Sequence, residues 1–150
     1  MRRMTGLCAA VAVLVLSAGA GGAPAPVDIK GTYTLVGIEF GGKALSDADI
    51  AKLPEGDRVL KITADKLIAT KDGKEDPAVY KIDTTKTPHE IELTAKKDDG
   101  KDEKMVGIFK IDGDTLTVCM VESDKPADRP KGFKTTAGNK AMIMTLKKKK

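Results

Sequence analysis

The chain has 150 residues, of which 32% are charged and 3% are aromatic, and its formal net charge is +4. Arg2, Arg3 and the terminal run Lys147–Lys150 carry more positive charge than this net value, so the basic character lies at the two ends. Between the ends, acidic and basic residues are interspersed, which is typical of a solvated surface and unlike a nucleic-acid groove. The length allows one domain, and we expect no nucleic-acid partner.

The first twenty residues predict an export signal. Residues 1–4 are basic, residues 7–16 form an apolar run, and Ser17–Ala20 are small, as at a signal-peptide cleavage site. The apolar run is too short for a membrane-spanning helix. We therefore expect cleavage after Ala20, a secreted or periplasmic location and no transmembrane segment. Residues 21–29 would form a flexible leader, residues 30–147 the folded domain and residues 148–150 a basic tail.

The predicted domain begins with a strand and a short helix. Gly31–Phe40 alternates as a half-buried strand does. Ser46–Leu53 is predicted as a helix, because Ser46 can cap its first turn, Asp49 occupies the acidic position of a capping box and Pro54 stops it.

Seven further strands are predicted after the helix. Each is a short apolar pattern bounded by Gly, Pro, Asp or Lys-rich turns. They are Arg58–Thr63, Lys66–Thr70, Ala78–Asp83, His89–Ala95, Met105–Ile111, Asp114–Val121 and Lys140–Lys147.

The most informative stretch is the hairpin Met105–Val121, folded about Asp112-Gly113. An Asp-Gly pair between apolar runs indicates a two-residue type I′ turn. In this register Met105 lies opposite Met120. One face of the hairpin is apolar and is assigned to the core, whereas the other is mixed, which indicates that a second apolar layer or a partner lies against it.

Eight short strands without a βαβ pattern predict an all-β fold. Strands in simple succession favour an eight-stranded antiparallel up-and-down barrel, with one short helix after the first strand, since closure removes the sheet edges. An open β-sandwich is the alternative.

Three segments, together with Gly31–Tyr33 near the start, carry a family resemblance. They are Tyr80–Leu93, Gly107–Cys119 and Arg129-Pro130-x-x-Phe133. Taken together they resemble a secreted, lipocalin-like domain family of unknown function that is abundant in planctomycete bacteria. The resemblance implies a lipocalin-like barrel and an exported location, and it implies no activity or functional residues.

The chain departs from the family pattern at two positions. Tyr33 stands where the family usually has Trp, and Gly132 stands where an acidic residue is common. If that acidic residue pairs with the arginine, Arg129 needs another partner in this chain.

Residues suited to catalysis are sparse. After residue 20 the chain has one cysteine, Cys119, and one histidine, His89, so no intramolecular disulfide is expected. A thiolate pair between Cys119 and His89 is the available nucleophilic arrangement, but a lone cysteine on a strand is more often a small buried apolar residue. We expect a non-enzymatic protein without catalytic residues, cofactor or metal.

Methionines accumulate on the predicted inner face. Thioethers can bind Cu(I), but adaptable filling of a core is their commoner role. With few aromatic side chains, and with Gly37 and Gly107 facing inward, they predict a small apolar cavity that the Ser46–Leu53 helix would cover. The predicted ligand-lining residues are Tyr33, Leu35, Ile91, Leu93, Met105, Phe109, Leu116, Val118, Met120, Met142 and Met144.

The preferred hypothesis is therefore a barrel that binds one small apolar ligand. The alternative is a packed structural or adhesion module that acts through its outer surface, by way of the mixed hairpin face and the lysine tail.

Overall fold

The computed structural model describes residues 27–150, so the predicted signal peptide and most of the predicted leader lie outside the described residues. Within residues 27–150 the chain forms nine strands and one α-helix. The elements are β1 (Gly31–Phe40), β2 (Lys43–Ala44), α1 (Asp47–Lys52), β3 (Val59–Ile62), β4 (Lys66–Lys71), β5 (Lys74–Asp83), β6 (His89–Lys96), β7 (Asp102–Asp112), β8 (Thr115–Glu122) and β9 (Met142–Lys148).

Eight of these strands close into an antiparallel up-and-down barrel. From β3 to β9 each strand pairs with the next one in the chain, and β1 pairs with both β3 and β9. The two-residue strand β2 pairs with the end of β1. The pairing of β1 with β9 closes the sheet, which excludes the open sandwich. The predicted all-β, eight-stranded barrel with one short helix after the first strand is confirmed.

Helix α1 begins after Ser46 and ends before Pro54, as predicted. The Asp49 backbone N–H donates to Ser46 Oγ at 3.2 Å, and the Ser46 hydroxyl donates to the Asp49 carboxylate at 2.7 Å. This reciprocal contact satisfies one of the unpaired donors of the first turn. Ile50 is the buried residue of the helix. No helix within residues 27–150 is long and apolar enough to span a membrane.

The β7–β8 hairpin differs from the predicted register by two residues. Asp112 pairs with Thr115, so the loop consists of Gly113 and Asp114. Of these two residues Gly113 has a positive φ, at 59°, and Asp114 does not. A single positive φ at the first loop position is the pattern of a type II′ turn, whereas the predicted type I′ turn needs two.

The predicted pairing of Met105 with Met120 is therefore wrong. Met105 lies opposite Glu122, and Met120 lies opposite Gly107. Because side chains alternate faces with a period of two, a slip of two residues leaves every side chain on its predicted face. The predicted inner face of the hairpin is unchanged by the correction.

A β-bulge in β1 produces a second correction. Leu35 and Gly37 pair with consecutive residues of β9, so Val36 is an extra residue in the strand. A Cβ added at Gly37 would lie 3.2 Å from the Cβ of Thr145, which faces outward. Gly37 therefore faces outward, and the prediction that it shares the inner face with Tyr33 and Leu35 is wrong.

The barrel interior holds the main hydrophobic core. Phe109, Leu116 and Leu146 are at most 1% exposed, and burying one side chain of this size contributes about 1.5–3 kcal/mol. The N-terminal segment closes one end of the barrel, where the carbonyl oxygen of buried Ile29 accepts a hydrogen bond of 2.9 Å from the Tyr33 hydroxyl. We call this end the Tyr33 end. The opposite end, where Met142 pairs with Phe40, is the Met142 end.

A second, smaller apolar cluster lies on the outside of the barrel wall. Ile108, Cys119 and Ile143 project outward from β7, β8 and β9, and Phe133 and Ala141 pack against them. The second apolar layer predicted for the outer face of the hairpin is therefore supplied by residues 123–141 of the same chain.

A buried threonine fastens this covering segment to the barrel. Thr135 is 4% exposed, and its hydroxyl donates to the Glu39 carboxylate and accepts a hydrogen bond of 3.0 Å from the Gly42 backbone N–H. Glu39 lies at the end of β1, and Gly42 lies in the turn after it. The covering segment is thus fixed to β1 by polar contacts and to β7–β9 by apolar ones.

Candidate functional site

The residues predicted to line a ligand site come together inside the barrel. All of them belong to the core cluster, either as buried members or as half-buried side chains packed against it. They are Tyr33, Leu35, Ile91, Leu93, Met105, Phe109, Leu116, Val118, Met120, Met142 and Met144.

Four of these inward-facing residues, Leu35, Met105, Met142 and Met144, are half-buried, and the others are buried. Along β9, Leu146 is buried, whereas Met144 and Met142 are half-buried. Along β7, Phe109 is fully buried and Met105 is half-buried. Three of the four half-buried residues thus lie toward the Met142 end, although Met120, the cross-strand partner of Met142, is buried.

The methionines of this end are close neighbours on the inner face. Met120 and Met142 are direct cross-strand partners, and Met144 pairs with Val118. Cys119 projects to the opposite side of the wall, into the outer cluster. The arrangement suits apolar contact with an adaptable surface.

Two surface clefts border the Met142 end. One, of about 760 Å³, lies beside Phe40 and charged residues that include Glu122 and Lys140. The other, of about 240 Å³, reaches Leu93 and Met105 from the outside. Helix α1 packs against β1, and β1 ends at Phe40, which is 56% exposed. The rim of this end thus combines an exposed aromatic ring with charged side chains.

Cys119 and His89 do not form a pair in this geometry. Cys119 is 0% exposed in the outer cluster, and burial raises the pKa of its thiol. His89 lies on the inner side of the wall, with its ring 5.3 Å from the ring of Phe109. Within residues 27–150, no group of three or more His, Cys, Asp or Glu side chains is arranged to hold a metal ion.

Arg129 fastens the covering segment to β6. Its guanidinium lies 2.9 Å from the Glu90 carboxylate and 2.6 Å from that of Glu92, and its side chain is 13% exposed. These two glutamates are the carboxylate partners of Arg129 in this chain. Sequence reasoning missed them, although their alternation on the outer face of one strand was the available signal.

The three segments that carry the family resemblance meet at this position. A cleft of about 570 Å³ is lined by Pro88 and Glu90 from the first segment, by Ile108 from the second and by Arg129 and Pro130 from the third. Comparison of the chain with protein-family models, with curated proteins and with solved structures finds no match. What the fold defines is an eight-stranded antiparallel barrel with a partly covered outer wall.

Proposed function

We propose that the protein is an exported, non-enzymatic barrel that binds a small apolar molecule at the Met142 end of its interior. The observation that supports this function is the half-buried state of Met105, Met142 and Met144, which belong to the inner face and yet keep contact with solvent. Removing apolar surface from water is favourable by about 25 cal/mol per Å². A small apolar ligand seated on these thioethers would gain that free energy.

The location and the family are proposals of the same kind. Export rests on the basic, apolar and small-residue pattern of residues 1–20. Membership of the lipocalin-like family rests on the order of the three segments and is supported by their meeting around Arg129. The absence of an enzymatic role is supported by the separation of Cys119 and His89 on opposite sides of the wall.

A packed barrel that acts through its outer surface is the competing candidate. It is favoured by the filled half of the interior, where Ile29 and Phe109 already occupy the space near the Tyr33 end. The outer face of the β7–β8 hairpin is covered by residues 123–141. This candidate would therefore have to use another part of the wall.

Native mass spectrometry of the exported protein, followed by organic extraction of the bound material, tests the ligand directly. Titration with a neutral, environment-sensitive apolar dye measures the site when no natural ligand is retained. The variant Met142→Gln/Met144→Gln should weaken dye binding about tenfold, because it replaces two apolar contacts by polar ones. Ile111→Gln is the matched control, since Ile111 is 39% exposed at the Tyr33 end.

The outcomes separate the two candidates. An adduct or dye binding that is weakened by the methionine variant and unchanged by the control supports the interior site. No adduct together with no dye binding, or an equal loss in the control, favours the packed barrel.

A further inference from the structure

The terminal lysine run is built into the barrel. Strand β9 extends to Lys148, whose backbone N–H donates to the Asp114 carbonyl at 2.8 Å. The backbone N–H of Lys149 donates to the Thr32 carbonyl, also at 2.8 Å. Lys147 pairs with Thr115 on one side. Lys147 and Lys148 therefore lie in β9, and Lys149, one residue beyond the strand, is held to β1 by its backbone N–H.

Threonines surround these lysines on the outer face of three adjacent strands. Cross-strand partners face the same side of a sheet, and Thr145 pairs with Thr117 while Lys147 pairs with both Thr115 and Thr34. Strand alternation adds Thr32, two residues before Thr34. Lys149, one residue beyond the end of β9, is included because its backbone N–H donates to the Thr32 carbonyl. We call this set the threonine–lysine face, and its members are Thr32, Thr34, Thr115, Thr117, Thr145, Lys147 and Lys149.

The covering segment does not lie over the threonine–lysine face, and the lysines of this face form no ion pair within residues 27–150. The covering segment (residues 123–141) lies over Cys119 and Ile143, the cross-strand pair next to Thr117 and Thr145 on this side of the sheet. Within residues 27–150, neither Lys147 nor Lys149 lies in an ion pair, whereas Lys96 and Lys97 on the β6–β7 turn are paired with carboxylates. On the neighbouring strand β7, Lys110 and Asp112 are the cross-strand partners of Thr117 and Thr115 and share this side of the sheet, so one ammonium group and one carboxylate border the face.

We propose that the threonine–lysine face binds an anionic polysaccharide. Threonine hydroxyls both donate and accept hydrogen bonds, as the hydroxyls of a sugar do, and the two ammonium groups complement sulfate or carboxylate substituents. The strand spacing makes the face about 10 Å wide across β8, β9 and β1, and about 14 Å long from Thr145 to Lys149. This is the scale of a short stretch of a sugar chain lying flat on the wall.

Charge complementarity here is local. Residues 27–150 contain 24 Lys and Arg against 22 Asp and Glu, a net charge of +2, so attraction of the whole protein to a polyanion is weak. The face also contains no aromatic side chain on which a nucleic-acid base could stack. The proposal is independent of the interior site, which lies on the other side of the same strands.

The test is the change in fluorescence anisotropy of labelled dextran sulfate titrated with the full chain, with neutral dextran of equal length as the comparison ligand. Dextran sulfate should bind, and neutral dextran should bind at least tenfold more weakly. Lys147→Gln/Lys149→Gln should weaken binding about three- to tenfold, the range expected for two exposed charge contacts. Thr117→Val/Thr145→Val should cause a similar loss through the hydroxyls, and valine is well accepted in strands.

A matched control uses the same residue types elsewhere on the barrel. Lys81 and Thr94 lie on β5 and β6, away from β9, and face outward. Lys81→Gln/Thr94→Val should leave the affinity within twofold of the original. Circular dichroism confirms that each variant is folded.

Any one of the following results would overturn the proposal. They are no binding of dextran sulfate at low ionic strength, an equal loss in the control, no loss in either face variant, and tighter association with phosphatidylserine-containing vesicles than with dextran sulfate. The last result would assign the face to a membrane surface instead. Loss in the lysine variant alone, with the threonine variant unchanged, would also contradict recognition of a sugar.

Discussion

Replacement of Gly107 by alanine tests how closely the barrel wall is packed. Gly107 is buried in β7, between Ile91 on one side and Met120 on the other. A Cβ at this position would collide with the backbone carbonyl oxygen of Cys119 and would lie 2.7 Å from Cγ of Met120. The Met120 side chain can rotate away, but the carbonyl belongs to the neighbouring strand of the barrel wall. The alanine variant must therefore displace a strand to fold.

The expected cost follows from two opposing terms. Adding a methyl group to a closely packed core costs about 1–3 kcal/mol, and the upper part of this range applies because the nearest atom is backbone. Alanine recovers about 0.5–1 kcal/mol through the smaller conformational freedom of its unfolded chain. We expect Gly107→Ala to lower the free energy of unfolding by about 2 kcal/mol.

Equilibrium unfolding in urea measures this change, with the slope of the transition as a check that the unfolded state is unaltered. Gly132→Ala is the matched control, since an added Cβ there meets nothing within 4 Å and the residue does not need a positive φ. The control should be neutral or slightly stabilising, by up to about 1 kcal/mol. A Gly107→Ala variant as stable as the Gly132→Ala variant, within about 0.5 kcal/mol, would refute the packing argument.

Three further predictions concern buried polar groups. Arg129→Met should lower the free energy of unfolding by about 1–3 kcal/mol, because it leaves the half-buried Glu90 carboxylate without its partner. The same variant should accelerate amide exchange across residues 123–141, and unchanged exchange would show that Arg129 does not hold this segment to β6. Burial raises the pKa of the Cys119 thiol, and the side chain is 0% exposed. A thiol reagent should therefore label the unfolded protein quickly and the native protein only as fast as the native structure opens. Rapid stoichiometric labelling of the native protein would contradict this prediction. Burial also raises the pKa values of Tyr33 and Tyr80, so the unfolded chain loses these phenol protons at lower pH than the folded chain does. The free energy of unfolding should therefore be at its full value below about pH 10 and fall as the pH rises further. Phenol titration at the ordinary pKa in the folded protein would exclude this contribution.

The barrel could be predicted because its signals are local and redundant. Alternation in His89–Lys96 and in the strands on either side defines which side chains face inward, and Gly or Pro residues lie in every connection between strands except the one between β3 and β4. The inner face of the β7–β8 hairpin was predicted correctly even though its register was not. A slip of two residues changes the partner of Met105 and leaves its face unchanged.

The errors arise where the deciding contact is distant in sequence. Asp112-Gly113 and Gly113-Asp114 both supply a glycine for a tight turn, and the pairing of β8 with β9 at Thr115 holds the hairpin in the second arrangement. The isolated Gly37 inside a strand pattern is a general signal for a bulge, but the position of the bulge at Val36 follows from pairing β1 with β9, at opposite ends of the chain. The partners of Arg129 depend on the path of a loop, which alternation does not describe.

The two proposed sites share strand β9, and alternation keeps them apart. Met142 and Met144 face inward, whereas Thr145 and Lys147 face outward. Substitutions on one face remove no contact made by the other, and effects of such separate changes normally add. Dye binding should therefore be insensitive to Lys147→Gln/Lys149→Gln, and binding of dextran sulfate should be insensitive to Met142→Gln/Met144→Gln. Coupling between the two measurements would mean that β9 itself moves when either face is altered, because no side chain of one site reaches the other through a closed wall.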